Sequence, residues 1–483
     1  MSRAPAPPLL EKQTVLWLVS VLTIVLFAVA NVPWQLDDYD QAKEAFTSWQ
    51  VVKSGRIFYQ GTPAGKVATK PPLLAWISAA IYECTRSWDL AWRVPSFLAA
   101  LALALLLFRR ANKYYGVLGG LIALGAFVFN LLTPRLATLV RTDMPLAFVT
   151  FLIALLFFEQ IRQRRHWDNR ARVALFVLLT ASMLIKGPIV YAFLLPAMVL
   201  FAWRWREQRD ALATGWWPWL ASLAVFVCWV IGGIETVPGF YREVIVREFA
   251  ARFAETVHKP QPIYFYAPHV LHKWSPWSLL LIALLLAHIR RTGNDGERPR
   301  LAPETFWLLA WSVGGFVVMS FIPSKRVDRI YPVLAPMCLL LAALVASWKR
   351  ERIARWCAAV LLLAIIFTGS YVAFKIAYGI RHDRDALVKC GREFRARAAA
   401  NRLRYAAVHG ESEALVLYLD LPGYTPATEV VTRWNAGQID AVIGPERAIR
   451  AIESAIHPPA EPAQFCPAER TARYLVLSRA SAP

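Results

Sequence analysis

Apolar runs of about 15 to 20 residues, each bounded by Arg or Trp, recur along this chain and restrict its fold more than any other feature. Inside lipid every backbone N–H and C=O must be satisfied within the chain itself, so runs of this length are membrane-spanning helices. About eleven are recognisable, near residues 14–32, 89–108, 117–133, 143–158, 172–186, 188–203, 216–234, 274–289, 304–322, 331–348 and 354–375. The connections between them alternate in charge. Arg109-Arg110, Arg162 to Arg172, Arg204 to Arg209, Arg290 to Arg300 and Lys349 to Arg355 fall on one side. The positive-inside bias assigns these loops, with the N-terminus, to the cytoplasm. The loops 33–88, 134–142, 235–273 and 323–330, the turn Lys186-Gly187-Pro188 and everything after residue 376 are then outside.

Composition agrees. Of the 483 residues 57% are hydrophobic and only 18% charged, below the quarter or so usual for soluble domains. A net charge of +21 would point to nucleic acid in a soluble chain. Here much of it lies in short loops, where topology accounts for it, and no nucleic-acid partner is expected. The first run is read as an uncleaved helix rather than a signal peptide. The six cysteines show no paired metal-type spacing. Cys390 and Cys466 both fall in the outer C-terminal segment, where an oxidising compartment would allow a disulfide.

The topology constrains two further stretches. Lys70 to Thr85 is apolar but cannot span without inverting every later loop, so it is expected to lie in the outer leaflet as an interfacial helix. Ile245, Phe249 and Phe253, with Arg and Glu between them, suggest a second one. After Tyr378 charges become frequent and apolar runs shorten. Asp385 to Leu403 and Gln438 to Ile456 read as helical, Arg404 to Val408 and Tyr474 to Leu477 as strands. The expected fold is therefore an all-α polytopic membrane domain over 1–378, with a catalytic outer loop at 33–88 and interfacial helices. A small soluble α/β domain over 379–483 would follow on the outer, periplasmic face.

The outer loops hold the ionisable groups that need explaining. Asp37-Asp38-Tyr39-Asp40 follows the first span and opens an amphipathic helix whose apolar face is Tyr39, Ala42, Phe46, Trp49 and Val52. Thr69-Lys70-Pro71-Pro72 then returns to the same depth. Arg135, Arg141 and Asp143 surround the entry to the fourth span, Lys186 sits in a tight turn, and Lys325, Arg326 and Arg329 crowd one loop. Any one of these cations could snorkel to a lipid phosphate. Together they suit a site that holds an anion beside carboxylates. Departure of a lipid phosphate from a sugar leaves negative charge for Arg, Lys or a metal to neutralise, and an acceptor hydroxyl needs a carboxylate to take its proton. There is no glycine-rich fingerprint to cradle a nucleotide donor.

Taken in order, Asp37-Asp38, Lys70-Pro71-Pro72-Leu73 with Trp76, Arg93-Val94-Pro95-Ser96 and Arg141-Thr142-Asp143-Met144-Pro145 resemble the aminoarabinose-transferase-like branch of the GT-C membrane glycosyltransferases. Lys186-Gly187-Pro188, Arg252-Phe253 to His258, Pro276-Trp277 and Ser324-Lys325-Arg326 extend the resemblance, which covers roughly residues 10 to 350. It implies that Asp37 or Asp38 is the catalytic carboxylate, that Asp143 is a second essential acid, and that Lys70, Arg141, Lys325 and Arg326 hold the donor phosphate. His258 matches a position that helps bind a divalent metal, but the acid expected before Lys-Pro-Pro is Thr69 here. Asp40-Gln41 stands where relatives often have Arg-Tyr, which implies a different sugar or acceptor.

The function implied is inverting transfer of one sugar from a polyprenyl (undecaprenyl) phosphate to lipid A, lipopolysaccharide or another envelope lipid or glycan. It would take place on the periplasmic face of the inner membrane, among membrane lipids. A protein O-glycosyltransferase is one alternative. A transporter or flippase of lipid-linked sugar is another, but that would place charges along a midplane path between similar halves. Here the unusual charges gather on one face.

Overall fold

A computed structural model describes residues 13–36, 39–249, 251, 260–290, 301–348, 350–410, 412–461, 464–468 and 472–479. It is 73% helical. The order is α1 (Gln13–Val29), α2 (Tyr39–Ser54), α3 (Leu73–Thr85), α4 (Trp88–Val128), α5 (Thr133–Ala137), α6 (Asp143–Gln163), α7 (Asn169–Lys186), α8 (Tyr191–Arg204) and α9 (Trp217–Thr236). Then come α10 (Tyr266–Lys273), α11 (Trp277–Arg290), α12 (Pro303–Phe321), α13 (Leu334–Ala346) and α14 (Arg350–Arg381). The C-terminal elements are α15 (Ala386–Ala400), β1 (Tyr405–Ala407), α16 (Leu415–Tyr418), α17 (Ala427–Asn435), β2 (Ala441–Pro445), α18 (Glu446–Glu453), β3 (Gln464–Ala468) and β4 (Ala472–Ser478).

Each of the eleven expected apolar runs is helical, but not every one is a full span. Among the described residues six helices are long and apolar enough to cross a membrane, or up to eight if each bent pair is one span. Breakers in the sequence explain the difference. Gly116, at φ 77° and ψ 176°, splits α4 into the two runs expected there. Gly187, at φ 73°, ends α7, Pro188 opens a short 3₁₀ turn, and α8 leaves at 114° to α7. The α3 helix, 13 residues long, starts only after Pro71-Pro72, because a residue before proline is pushed out of the helical region.

The chain divides into two compact units, 1–30 with 69–74 and 93–372, and 31–68 with 75–92 and 373–483. In the first, α8 and α12 pack against each other through Gly314: a Cβ there would lie 2.7 Å from the Pro196 Cβ. Small residues let membrane helices approach in this way. The buried Trp274 and Trp307 satisfy their N–H groups on backbone carbonyls, Trp274 on Ala126 at 2.8 Å and Trp307 on Ala154 at 2.9 Å.

The second unit carries a four-stranded sheet in the order β1-β2-β4-β3, parallel between β1 and β2 and antiparallel elsewhere. Its core is Val430, Trp434, Val442, Ile449, Leu475 and Leu477. The expected helix over 438–456 is corrected: residues 441–445 are a strand, and helix begins at Glu446. Ala441 to Gly444 is buried on both faces, which removes the alternation that marks a strand. This unit also contains residues 31–68, with residues 41–50 of α2 all buried. Trp49 Nε1 donates to Asp420 Oδ1 at 2.7 Å, and the Leu36 N–H donates to the Tyr418 hydroxyl at 2.8 Å. Cys390 on α15 is disulfide-bonded, while Cys84, Cys228, Cys338 and Cys357 are free. Cys466 lies on β3, where the side chains fall outside the described part.

Candidate functional site

The first unit brings three sequence-distant segments to one buried ionic chain. Asp143 opens α6, where the positive end of the helix dipole favours a carboxylate. Lys186 closes α7, where the opposite end favours a cation. Lys186 Nζ meets Asp143 Oδ1 at 2.5 Å, and Arg141 Nε lies 3.2 Å from Asp143 Oδ2. Arg141 Nη1 donates to Asp328 Oδ2 at 2.7 Å, with Asp328 on the 3₁₀ turn Val327–Val333. The side chains of Asp143, Arg141 and Asp328 are 3%, 7% and 7% exposed, so the charges stand nearly out of water. Ion pairs this buried rarely repay their desolvation in stability, and their presence here points to chemistry.

A cavity of about 630 Å³ opens onto this chain. Its polar end is formed by Thr69, Lys70, Asp143, Lys186, Asp328 and Arg329, with Glu248 also on the wall. Phe226 and Trp229 of α9, Val318 and Phe321 of α12, and Ile322 form its apolar part. Lys70 is held there by the rigid Pro71-Pro72 that follows it. Arg329 Nη1 donates to the Ser324 carbonyl and, at 3.1 Å, to its hydroxyl. Cations at one end and aromatic and aliphatic walls at the other suit an amphiphile with an anionic head.

The expected site residues fall into three groups. Lys70 and Asp143 line the cavity. Arg141 stands behind Asp143 with its guanidinium engaged by two carboxylates, while Lys325 is buried with Nζ donating to the Gln261 carbonyl at 2.9 Å, and burial lowers its pKa. Lys325 and the half-buried Arg326 are not among the described residues lining the cavity. Asp37, Asp38 and His258 lie outside the described residues. Among the described residues no group of three or more His, Cys, Asp or Glu is placed to hold a metal, and Thr69 offers only a hydroxyl on the cavity wall.

Sequence reasoning missed Asp328 and Glu248. The signal for Asp328 was present as a single acid among Lys325, Arg326 and Arg329, a spacing that suggests pairing.

The family described as dolichyl-phosphate-mannose-protein mannosyltransferase matches residues 69–231, which include Lys70, Asp143 and Lys186. The chain has 97% of its length, and 98% of the other's, in common with ArnT from Cupriavidus metallidurans in its crystal structure bound to undecaprenyl phosphate, with a TM-score of 0.73 and 16% identity. The chain has the GT-C fold of ArnT. An archaeal oligosaccharyltransferase, AglB from Archaeoglobus fulgidus, shares this fold more distantly, with a TM-score of 0.53 and 12% identity over 91% of this chain and 71% of AglB.

Two curated relatives are named undecaprenyl phosphate-alpha-4-amino-4-deoxy-L-arabinose arabinosyl transferase. The one from Edwardsiella ictaluri is 23% identical over 69% of this chain and 60% of its own length. The one from Serratia proteamaculans is 28% identical over 34% of this chain and 28% of its own length. The match thus spans between 28% and 60% of these relatives. With its apolar helices, this GT-C chain is a multi-pass protein of the inner membrane.

Proposed function

We propose that the protein transfers a single sugar from an undecaprenyl-phosphate donor to lipid A or another envelope acceptor, on the periplasmic face, with inversion. The observation that carries this reading is the cavity in which Lys70, Lys186 and Arg329 meet Asp143 and Asp328 beside an apolar wall. A phosphate head fits the cations, and the first isoprene units of a polyprenyl chain fit Phe226, Trp229 and Phe321. The anomeric carbon–oxygen bond to the phosphate breaks, its electron pair leaves with the phosphate, and the acceptor oxygen bonds to the opposite face of that carbon.

Lys70 and Arg329 neutralise the departing phosphate, where charges out of water are poorly screened. Lys186 is shared between that anion and Asp143. Asp143 orients the reacting partners, held from behind by Arg141. The acceptor proton is assigned to Asp37 or Asp38 on the family resemblance. The orientation proposed puts the N-terminus in the cytoplasm and the C-terminal residues outside. A divalent metal would add a Lewis acid at the phosphate through His258, but with Thr69 in place of an acid the cations suffice, and EDTA should leave most of the activity.

The test is purified protein in nanodiscs with undecaprenyl-phosphate sugars and lipid A, followed by mass spectrometry, together with envelope lipids from cells with and without the protein. A lipid gaining the mass of one sugar supports transfer. Movement of donor across the bilayer with no product overturns it.

A further inference from the structure

The second compact unit contains a groove that the proposed transfer chemistry does not use. It has a volume of about 660 Å³ and lies between the end of α2 with the 61–65 turn on one side and residues 408–409 with 422–427 on the other. Its walls are set. The Gly61 N–H donates to Gln50 Oε1 at 2.6 Å, the Thr62 N–H to the Lys66 carbonyl at 2.7 Å, and the Thr425 N–H to the Ala407 carbonyl at 2.8 Å. Gly65, at φ 77°, makes the turn that closes the first wall. His409 and Tyr424 meet edge to face at 5.0 Å, and the Tyr424 hydroxyl donates to the Ser412 carbonyl.

The groups left over on this surface are hydrogen-bonding ones. Gln50 is 6% exposed, and with Oε1 engaged its Nε2 has no partner among the described residues. That leaves an amide donor open to a ligand in the groove. The side chains of Arg56 and His409 add donors at the rim, and no carboxylate lines the groove among the described residues. Neutral and cationic donors, an aromatic edge and rigid proline walls suit a ligand with many hydroxyls and no positive charge. The volume is in the range of pockets that enclose a whole small ligand.

We propose that this groove binds saccharide, and that its ligand is the glycan part of the acceptor. The second clause rests on the transfer reading; the first does not. The probe is a deacylated lipopolysaccharide oligosaccharide, added to the full-length protein in detergent and followed by calorimetry and saturation-transfer NMR. Wild type should bind it. Arg56→Ala with His409→Ala, both on exposed side chains, should weaken binding at least tenfold, and Gln50→Glu, which keeps the acceptor for Gly61 and removes the donor, should do the same.

In the transfer assay the exposed pair should raise the acceptor KM at least tenfold and leave the donor KM where it was. Failure of wild type to bind the oligosaccharide, or unchanged binding in the exposed pair, overturns the groove even if transfer is observed. Binding lost in the variants of a protein that transfers nothing upholds the groove and removes only the transfer reading. Preference for an acidic peptide over the oligosaccharide would also overturn it.

Discussion

Arg141 carries two carboxylates, Asp143 at 3.2 Å and Asp328 at 2.7 Å, and a guanidinium is the one side chain whose planar fork can serve both. Asp143→Asn removes the counter-charge of Lys186 and one of the two carboxylates on Arg141. It should lower transfer by about 10² to 10⁴, the range for a positioned acid or base, while the protein still inserts and elutes as one species. Asp328→Asn leaves Arg141 with one carboxylate, so the expected loss is smaller, about tenfold, and a steady-state rate series on the two variants decides the order. Equal activity in both would show that the ionic chain is structural. The residues at the centre of this chain were legible from sequence, because Lys70, Asp143 and Lys186 are ionisable groups at membrane depth that lipid does not tolerate without a reason. The direction of Arg141 was not. Sequence puts it two residues from Asp143, but only the fold brings it to Asp328, 187 positions away.

At the scale of elements, α2 is joined to the C-terminal segment by Asp420. Its carboxylate accepts from Trp49 Nε1 at 2.7 Å, Lys53 Nζ at 3.1 Å and Arg395 Nη2 at 2.9 Å. Burial alone would raise this carboxyl's pKa, but the hydrogen bonds from Trp49 and Lys53 and the charges of Arg395 and Lys53 outweigh it and hold it below the usual range. A carboxyl depressed in the folded state contributes stability above its unfolded pKa of about 3.9, and that contribution is lost as pH falls through the folded value. Asp420 sits at φ 57°, which Asn also tolerates, so Asp420→Asn changes the charge and little else.

Lys53 and Arg395 are well exposed and screened, which leaves about 1 kcal/mol, or on the order of one degree in thermal midpoint at pH 7 for a chain of this length. The gap from wild type should close below about pH 4, as a scan of the purified protein from pH 3 to pH 7 would read. A constant gap across that range would mean the charge is irrelevant. This joint was invisible in sequence. The 39–52 periodicity marks an apolar face, and it gives no sign that the polar face is buried too. Strand β2 was hidden for a related reason, since a buried strand of four or five apolar residues next to a helix looks like more helix.

For the whole molecule the alternation of Arg-rich and Arg-poor loops is the strongest statement the sequence makes, and the helices bear on it without deciding its hand. Six to eight candidate spans follow from length and composition alone, and an uncertain span reverses the side of every loop beyond it. The Lys186-Gly187-Pro188 break is the critical point. If α7 and α8 each cross, or dip and return together, the loops beyond keep their side; if the bent pair makes one span, every loop beyond it changes side. We expect residue 66 outside and residue 165 inside.

Arg165 is preferred to Arg164 as a reporter because Arg164 caps the C-terminus of α6, whereas Arg165 is exposed just beyond it. With the exposed Cys84 and Cys228 replaced by Ser, Lys66→Cys should react with a membrane-impermeant maleimide in spheroplasts, and Arg165→Cys only after permeabilisation. In a separate protein that keeps Cys84 and has Cys228 replaced by Ser, Cys84 on α3 should label on the same side as Lys66→Cys. Labelling of both introduced cysteines in sealed cells, or of Arg165→Cys alone, would put the Arg-rich loops outside and remove the topology on which the periplasmic reading rests.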